Sequence, residues 1–268
     1  MINGKYYAID AHCHIYPEKI AKLAISHTDN FYSVESFNKG TLDDLLTSSE
    51  KAGIDKCIIQ SVATTPKQVQ SINKFISENV NLYKDKFVGL GTIHLRSTDI
   101  EGDIEHLIEL GLKGIKIHPD IQGFKLDDDG YMQAYKICEK KGLSVLMHTG
   151  DSRYDNSNPN RLIPILNEFK NLTVIGAHYG GWSIWEEASQ KLNSFENFFV
   201  DTSSSLYYIT LDAVKRIFDN YGIDKIMFAT DYPMWNAEEE IQGLLKLNLT
   251  EDEYIKLFSK NAEKVYKL

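Results

Sequence analysis

The amino-acid sequence predicts a single domain folded as a (β/α)8 TIM barrel. Eight short runs rich in Val, Ile and Phe recur along the 268 residues, and each is followed by a segment with the apolar spacing of an amphipathic helix. Their average spacing of about 33 residues suits a strand plus its return helix. Such alternation is typical of parallel strands, and eight units favour a closed barrel over the alternative, an open doubly wound sheet. No linker or low-complexity tract divides residues 1–268, so they are interpreted as one domain.

The apolar runs define the strands, and local signals define the helix ends. In chain order the predicted strands are Tyr6–His12, Lys56–Val62, Phe87–His94, Gly114–His118, Ser144–His148, Thr173–His178, Phe198–Thr202 and Ile226–Asp231. Thr41 can cap the free N–H groups of a helix over Leu42–Ala52, and Gly53 supplies the left-handed residue that ends it. Pro66 suits the first turn of the next helix, and Gly142 ends the helix before the fifth strand.

Composition and charge exclude several classes of partner. The formal net charge is −9, and no Lys/Arg cluster offsets it, so a nucleic-acid partner is not expected. No run is long and apolar enough to cross a bilayer, and the charged N-terminal segment does not resemble a secretory signal. Three widely separated cysteines indicate reduced thiols. These features predict a cytoplasmic protein that acts on a small molecule, and they leave open whether it is a homo-oligomer.

Histidines are concentrated where the predicted strands end. His12 and His14 close the first strand two residues apart, so both side chains project to the same face. The other candidates at strand ends are His118, His148, His178 and Asp231. In a barrel all these ends converge on one face, where active sites lie. Imidazole and carboxylate groups suit Zn²⁺, with Mn²⁺ or Fe²⁺ as alternatives, so we predict a divalent metal site there.

Further segments are expected around the mouth of the barrel. The longest irregular stretch, residues 15–40, follows the first strand and is a candidate lid. Arg96, Arg153 and Arg161 lie in or near mouth-side loops, from which a guanidinium can clamp a carboxylate with two hydrogen bonds. Asp201, at the end of the seventh strand, is predicted to accept a hydrogen bond that orients a neighbouring side chain.

These strand-end residues resemble those of the amidohydrolase superfamily, specifically its amidohydrolase-related branch, over nearly the whole chain. Members of this branch include metal-dependent hydrolases, lactonases and decarboxylases similar to aminocarboxymuconate-semialdehyde decarboxylase. The resemblance implies that His12, His14, His148 and Asp231 bind the metal. It also implies that Asp231 handles a proton and that His178 acts beside the metal-bound water.

Lys116 leaves the number of metal ions open. In binuclear members of the superfamily, a carboxylated lysine on the fourth strand bridges two metals, and Lys116 lies on the fourth predicted strand, on the same face as His118. The alternative is a cationic Lys116 that helps to hold an anionic substrate. We expect one metal ion per chain, with zinc as the favoured metal. The residues expected to bind the substrate are His118, Lys116 and Arg153.

The reaction expected from these residues is hydrolysis of a small, anionic amide, ester or lactone. A zinc-like ion lowers the pKa of bound water towards ~7. Asp231 would accept the proton of that water, and His178 would stabilise the developing oxyanion. One alternative is a non-oxidative decarboxylase of the aminocarboxymuconate-semialdehyde or resorcylate type, which shares the ligands. The other is a metal-retaining barrel that binds without turnover.

Overall fold

The computed structural model describes all residues from Met1 to Leu268 and consists of short parallel strands alternating with helices. The strands are β1 Ile9–His14, β2 Lys56–Gln60, β3 Phe87–Gly89, β4 Gly91–Thr92, β5 Gly114–Ile117, β6 Ser144–Met147, β7 Val174–Gly176, β8 Phe198–Asp201 and β9 Ile226–Met227. Strands that follow one another in the chain pair in parallel, from β1 to β3 and from β4 to β9. Strands β3 and β4 do not pair with each other, because they are the two halves of the third predicted strand, which is interrupted at Leu90.

The helices begin and end largely where the local signals predict. They are α1 Glu18–Tyr32, α2 Leu42–Ala52, α3 Val69–Leu82, α4 Ile100–Glu109, α5 Pro119–Gln122, α6 Asp129–Lys141, α7 Leu162–Glu168, α8 Trp185–Leu192, α9 Leu211–Tyr221, α10 Ala237–Leu245, α11 Glu251–Ile255 and α12 Asn261–Tyr266. The Thr41 hydroxyl accepts from the backbone N–H of Asp44, and Gly53 ends α2 with a φ of 74°. Pro66 begins a 3₁₀ turn that leads into α3. No helix has both the length and the apolar character needed to cross a membrane.

Backbone hydrogen bonds close the strands into a barrel. The N–H of Ala11 in β1 donates to the carbonyl of Phe228, 3.0 Å away, and that of His14 donates to the carbonyl of Tyr232, 2.7 Å away. The N–H of Leu90 donates to the carbonyl of Ile59, so the third strand stays attached to β2 at its interruption. The first and last strands are therefore neighbours, and the predicted (β/α)8 barrel is confirmed.

The interior of this barrel is a packed core, as in other barrels of this architecture. Inward-facing side chains from the strands form a continuous buried cluster, which includes Ile9, Ala11, Ile58, Leu146, Ile175 and Met227. The last helix, α12, adds Ala262, Val265 and Tyr266 to the same cluster. The polar side chains at the carboxyl ends of the strands thus lie directly above a packed apolar core.

A β-bulge in β1 sets the direction of its two histidines. Asp10 pairs with Cys57, but Cys13 pairs with Ile59, so Ala11 and His12 together face the single residue Ile58. Strict alternation would place His12 on the face opposite Ala11. The extra residue changes the phase of the strand, and both the apolar core residues and the histidines of β1 face the interior.

Candidate active site

A cavity of about 720 Å³ opens at the carboxyl ends of the strands. Its polar lining includes His12, His14, Lys116, His118, Asp120, His148, His178 and Asp231. Eight loops converge on this end of a barrel, which explains why residues from five strands and the loops after them meet in one space. Helix α1, which lies within the predicted lid segment, forms part of the cavity wall.

Three of the predicted metal ligands converge on one point. The Nε2 atom of His12 lies 3.1 Å from Nε2 of His14 and 3.2 Å from Oδ1 of Asp231. The Nε2 atom of His14 lies 3.7 Å from the same oxygen. Ligand atoms about 2.1 Å from a tetrahedral zinc ion are about 3.4 Å apart, so these spacings fit a single divalent ion.

Asp201 fixes the orientation of His12. Its Oδ2 lies 2.9 Å from Nδ1 of His12, and a proton on Nδ1 leaves the lone pair of Nε2 directed towards Asp231 and His14. Burial alone would raise the pKa of Asp201, but His12, His178 and the hydroxyl of Ser203 hold this pKa well below its usual range. An ionised Asp201 therefore accepts the hydrogen bond from Nδ1 and favours the histidine tautomer that a metal site requires, in line with the orienting role predicted from the sequence.

Lys116 is the only lysine among the lining residues, and its Nζ donates to Nε2 of His12 at 3.0 Å. The side chain is completely buried. Burial lowers the pKa of Lys116 to about 8, although Asp231 and Asp201 oppose this shift. The ammonium group thus lies at the floor of the cavity, beside the candidate metal ligands.

His178 and Asp231 both have backbone conformations that are unusual for residues with side chains. Their φ angles are 59° and 58°, in the left-handed region, and residues with such strain cluster at functional sites. Nδ1 of His178 lies 3.2 Å from the carbonyl oxygen of Ser203, so Nδ1 carries the proton and Nε2 is free to accept. Burial lowers the pKa of His178 to about 4, and the ring is neutral at pH 7.

His148, the fourth predicted metal ligand, belongs to a second cluster together with His118 and Asp120. Its Nε2 lies 3.7 Å from Oδ2 of Asp120, and its ring stacks on that of His118 with 4.0 Å between centroids. Burial raises the pKa of Asp120 to about 6. The sequence prediction missed Asp120, although it follows His118 by two residues, in the short helix α5 directly after β5.

A directed chain of hydrogen bonds joins this second cluster to α1. Nδ1 of His118 accepts from the backbone N–H of Ile121, so its Nε2 carries a proton and donates to the Tyr32 hydroxyl, 2.7 Å away. That hydroxyl can donate to Nε2 of His148 at 3.3 Å, and Nδ1 of His148 can donate to Nε2 of His178 at 3.1 Å. The helix that covers the cavity is thereby linked to residues on two strand ends. Apart from its position in the predicted lid, nothing in the sequence marks Tyr32.

The three arginines that were predicted to clamp a carboxylate contact side chains of the chain itself. The guanidinium of Arg153 contacts both carboxylate oxygens of Asp151, most closely from Nε to Oδ1 at 2.9 Å and from Nη2 to Oδ2 at 2.7 Å. Arg161 pairs with Asp127 and Asp155. Arg96 lies over the ring of Phe124. No arginine is among the residues that line the cavity, and the role of Arg153 in substrate binding stays a prediction.

Comparisons with known proteins bear on the reaction. A segment of 83 residues, 30% of the chain, is 35% identical to the 2-amino-3-carboxymuconate-6-semialdehyde decarboxylase of Dictyostelium discoideum, and it spans only 23% of that relative. A 2,6-dihydroxybenzoate decarboxylase, crystallised with 2,6-dihydroxybenzoate, superposes with a TM-score of 0.77 at 16% identity and covers 98% of this chain and 100% of its own.

The 5-carboxyvanillate decarboxylase of Novosphingobium aromaticivorans, with bound manganese and 3-methoxy-4-hydroxy-5-nitrobenzoic acid, gives a TM-score of 0.75 at 16% identity. It covers 98% of this chain and 97% of its own. At such identities these two structures support the fold. The donor set described above, by its geometry, supports a divalent metal site in the chain.

The expected hydrolysis was wrong. The relative from Dictyostelium and both solved structures are named as decarboxylases, which agrees with the alternative reaction considered from the sequence. A family model described as Amidohydrolase matches residues 9–268. The strand-end histidines and Asp231 lie within this range, and the chain belongs to the amidohydrolase family.

Proposed function

We propose that the protein is a metal-dependent, non-oxidative decarboxylase that releases CO2 from a small aromatic or unsaturated carboxylic acid. The observation that carries this proposal is the position of Lys116, whose buried ammonium lies 3.0 Å from Nε2 of His12 in a cavity with many apolar residues. A carboxylate held there is paired with a cation and removed from bulk water, and desolvation of this kind favours its departure as neutral CO2. The named activities of the relatives support the same reaction.

His12, His14 and Asp231 would hold one divalent ion, and His148 would join them if its ring turned away from Tyr32. Zinc suits a set dominated by imidazole, and manganese accepts the same donors. When bound, the ion would act as a Lewis acid that withdraws negative charge from the substrate. We propose one ion per chain, with Lys116 as a cation and not as a carboxylated bridge.

The residues of the chain supply the remaining steps. Lys116 binds the substrate carboxylate, and the neutral ring of His178 orients the reacting group. Asp231, as a proton carrier, takes up a proton from solvent and delivers it to the carbon that bears the carboxylate. The bond from that carbon to the carboxylate then breaks, its electron pair stays with the carbon, and CO2 leaves. One proton is consumed and one CO2 is released for each substrate molecule.

The test is CO2 release by protein loaded with zinc or manganese, measured with 2,6-dihydroxybenzoate and other hydroxybenzoates. Asp231→Asn is expected to abolish turnover, whereas Asp219→Asn, an exposed carboxylate on α9, should retain it. Binding of these acids without any CO2 release by the metal-loaded protein would contradict the proposal and favour a barrel that binds without turnover.

A further inference from the structure

The cavity has two chemically different parts. Its floor carries the imidazoles, Lys116 and two carboxylates described above. Its outer part is formed by side chains of α1 and α3, among them Ile20, Leu23, Phe31 and Phe75. Ile20 and Leu23 are 49% and 58% exposed, although they line the cavity. Apolar surface is therefore available at the mouth for a ligand to cover.

The size of the cavity exceeds what a single aromatic ring can fill. Pockets of about 300–1,000 Å³ hold drug-sized ligands, and this cavity has a volume of about 720 Å³. Of its 34 lining residues, 16 are hydrophobic, and those of α1 include the exposed Ile20 and Leu23. A monocyclic acid bound at the floor would leave this outer part without contacts.

The charges of the lining restrict the ligand further. Lys116 is the only lysine, and no arginine is present, while Asp120 and Asp231 contribute negative charge. The nearby guanidinium of Arg153 is already paired with Asp151. One carboxylate can pair with Lys116 at the floor, but a second carboxylate in the outer part would be desolvated with no lysine or arginine side chain beside it.

We propose that the substrate is a monocarboxylic acid that carries an apolar substituent. The carboxylate lies at Lys116, and the substituent extends along Leu23 of α1 and Phe75 of α3. This inference rests on the proposed decarboxylase function and specifies its substrate class. It predicts discrimination between two acids that share a ring and differ only in whether the group at the far end is alkyl or carboxylate.

The test uses 2,6-dihydroxybenzoates that carry hydrogen, methyl, propyl, pentyl or carboxylate at position 4. We expect kcat/KM for CO2 release to rise at least tenfold from hydrogen to pentyl, because each buried methylene favours binding. We expect the 4-carboxy acid to be at least tenfold poorer than the 4-methyl acid. Equal values along the alkyl series, or a preference for the 4-carboxy acid, would overturn the proposal.

Calorimetric binding of the corresponding 5-alkylresorcinols, which lack the carboxylate, separates this proposal from the decarboxylase function. Affinity that rises with chain length supports the apolar subsite even if no acid releases CO2, and that result would overturn the proposed reaction alone. Affinity independent of chain length overturns the subsite even if the acids are decarboxylated.

Two variants locate the subsite, and a third serves as the control. Phe75→Ala should reduce the ratio of pentyl to unsubstituted affinity at least fivefold. Leu23→Ala should reduce it at least twofold, and because Leu23 is 58% exposed, this change leaves the core intact. The control is Leu82→Ala, which removes an apolar side chain from α3, the helix that carries Phe75. Leu82 is 69% exposed and does not line the cavity, so the ratio should not change. If all three variants keep the wild-type ratio of pentyl to unsubstituted affinity, the substituent does not lie along Leu23 and Phe75, and the proposed subsite is refuted.

Discussion

Lys116 and His12 are hydrogen-bonded at the floor of the cavity, where Nζ of the lysine lies 3.0 Å from Nε2 of the histidine. The opposite ring nitrogen of His12 is held by Asp201, so the single lone pair of Nε2 can serve either the lysine or a metal ion, and an ion that binds there displaces the hydrogen bond from the lysine. A cationic lysine in this position repels an ion but attracts the substrate carboxylate. A carboxylated lysine would instead contribute two oxygen ligands. The chemical state of Lys116 therefore decides how many ions the site holds.

Replacement of Lys116 by methionine tests which state is present. If Lys116 is the cation that pairs with the substrate, Lys116→Met should raise KM about tenfold or more, because a charge-assisted hydrogen bond contributes about 1.5–3 kcal/mol. Metal content should remain near one ion per chain, and added bicarbonate should have no effect. Steady-state kinetics and elemental analysis provide the measurements, and Lys113→Met, an exposed lysine before β5, is the control. Two ions in the wild type that fall to one in the variant would support the carboxylated bridge.

A variant that lacks both histidines of β1 should no longer bind the metal ion. His12→Ala combined with His14→Ala leaves Asp231 as the only member of the three-residue cluster, and one carboxylate cannot hold a divalent ion tightly. We expect metal content to fall from about one ion per chain to near zero, together with CO2 release. His106→Ala, which removes a histidine of α4 that is far less buried, should retain the ion. Wild-type protein that takes up no zinc or manganese on titration would refute the metal site.

The sequence specified more of the fold than of the site. Parallel strands, their number and the strand-end positions of His118, His148 and His178 follow from local apolar runs and their boundaries. The relative placement of side chains depends on contacts between distant segments, such as Tyr32 with His118, 86 residues apart. The pairing of Arg153 with Asp151, two residues away in the same loop, was not predicted, because the linear pattern does not show which carboxylate a guanidinium will choose. The bulge in β1 likewise has no signature in its composition.

His178→Ala should lower kcat about 100-fold while metal content is retained. His178 lies in the lining but outside the three-residue donor cluster, and its neutral ring can act on charge that develops during the reaction. Removal of one such group usually costs a factor of about 10²–10³ in kcat. His106→Ala is again the matched control. Elemental analysis that shows loss of the ion from His178→Ala would contradict this role and make His178 a ligand.

Tyr32→Phe should loosen the helix that covers the cavity. The hydroxyl of Tyr32 is within hydrogen-bond distance of His118 and His148, and one neutral hydrogen bond contributes about 1 kcal/mol. We expect KM to rise about fivefold, with a smaller change in kcat, and faster tryptic cleavage at the exposed Lys19 and Lys22 of α1. Tyr154→Phe, which alters an exposed tyrosine that stacks on Phe31, should leave KM, kcat and the rate of tryptic cleavage unchanged. Unchanged cleavage in Tyr32→Phe would show that this hydroxyl does not hold α1 in place.

Glu240 predicts a pH dependence of stability that is separate from catalysis. This residue of α10 is completely buried, and neither carboxyl oxygen has a hydrogen-bond partner. Burial, with the nearby charges of Asp10 and Asp231, raises the pKa of Glu240 well above the ordinary value of 4.5. Since the folded protein binds this proton more tightly than the unfolded chain, the stabilisation is complete below about pH 4.5 and is lost as the pH rises towards the folded-state pKa.

Glu240→Gln should therefore stabilise the protein at high pH. The amide matches the shape of the protonated carboxyl and cannot ionise, so Tm of the variant should fall less than that of the wild type between pH 5 and pH 8. A difference of about 1 kcal/mol corresponds to about 2 °C in a chain of this size. Glu239→Gln, a neighbouring and exposed carboxylate, is the control and should follow the wild-type profile. The measurement is thermal unfolding, followed by circular dichroism across this pH range. If Tm falls equally with pH in the wild type and in Glu240→Gln, ionisation of Glu240 does not destabilise the folded protein, and the prediction is wrong.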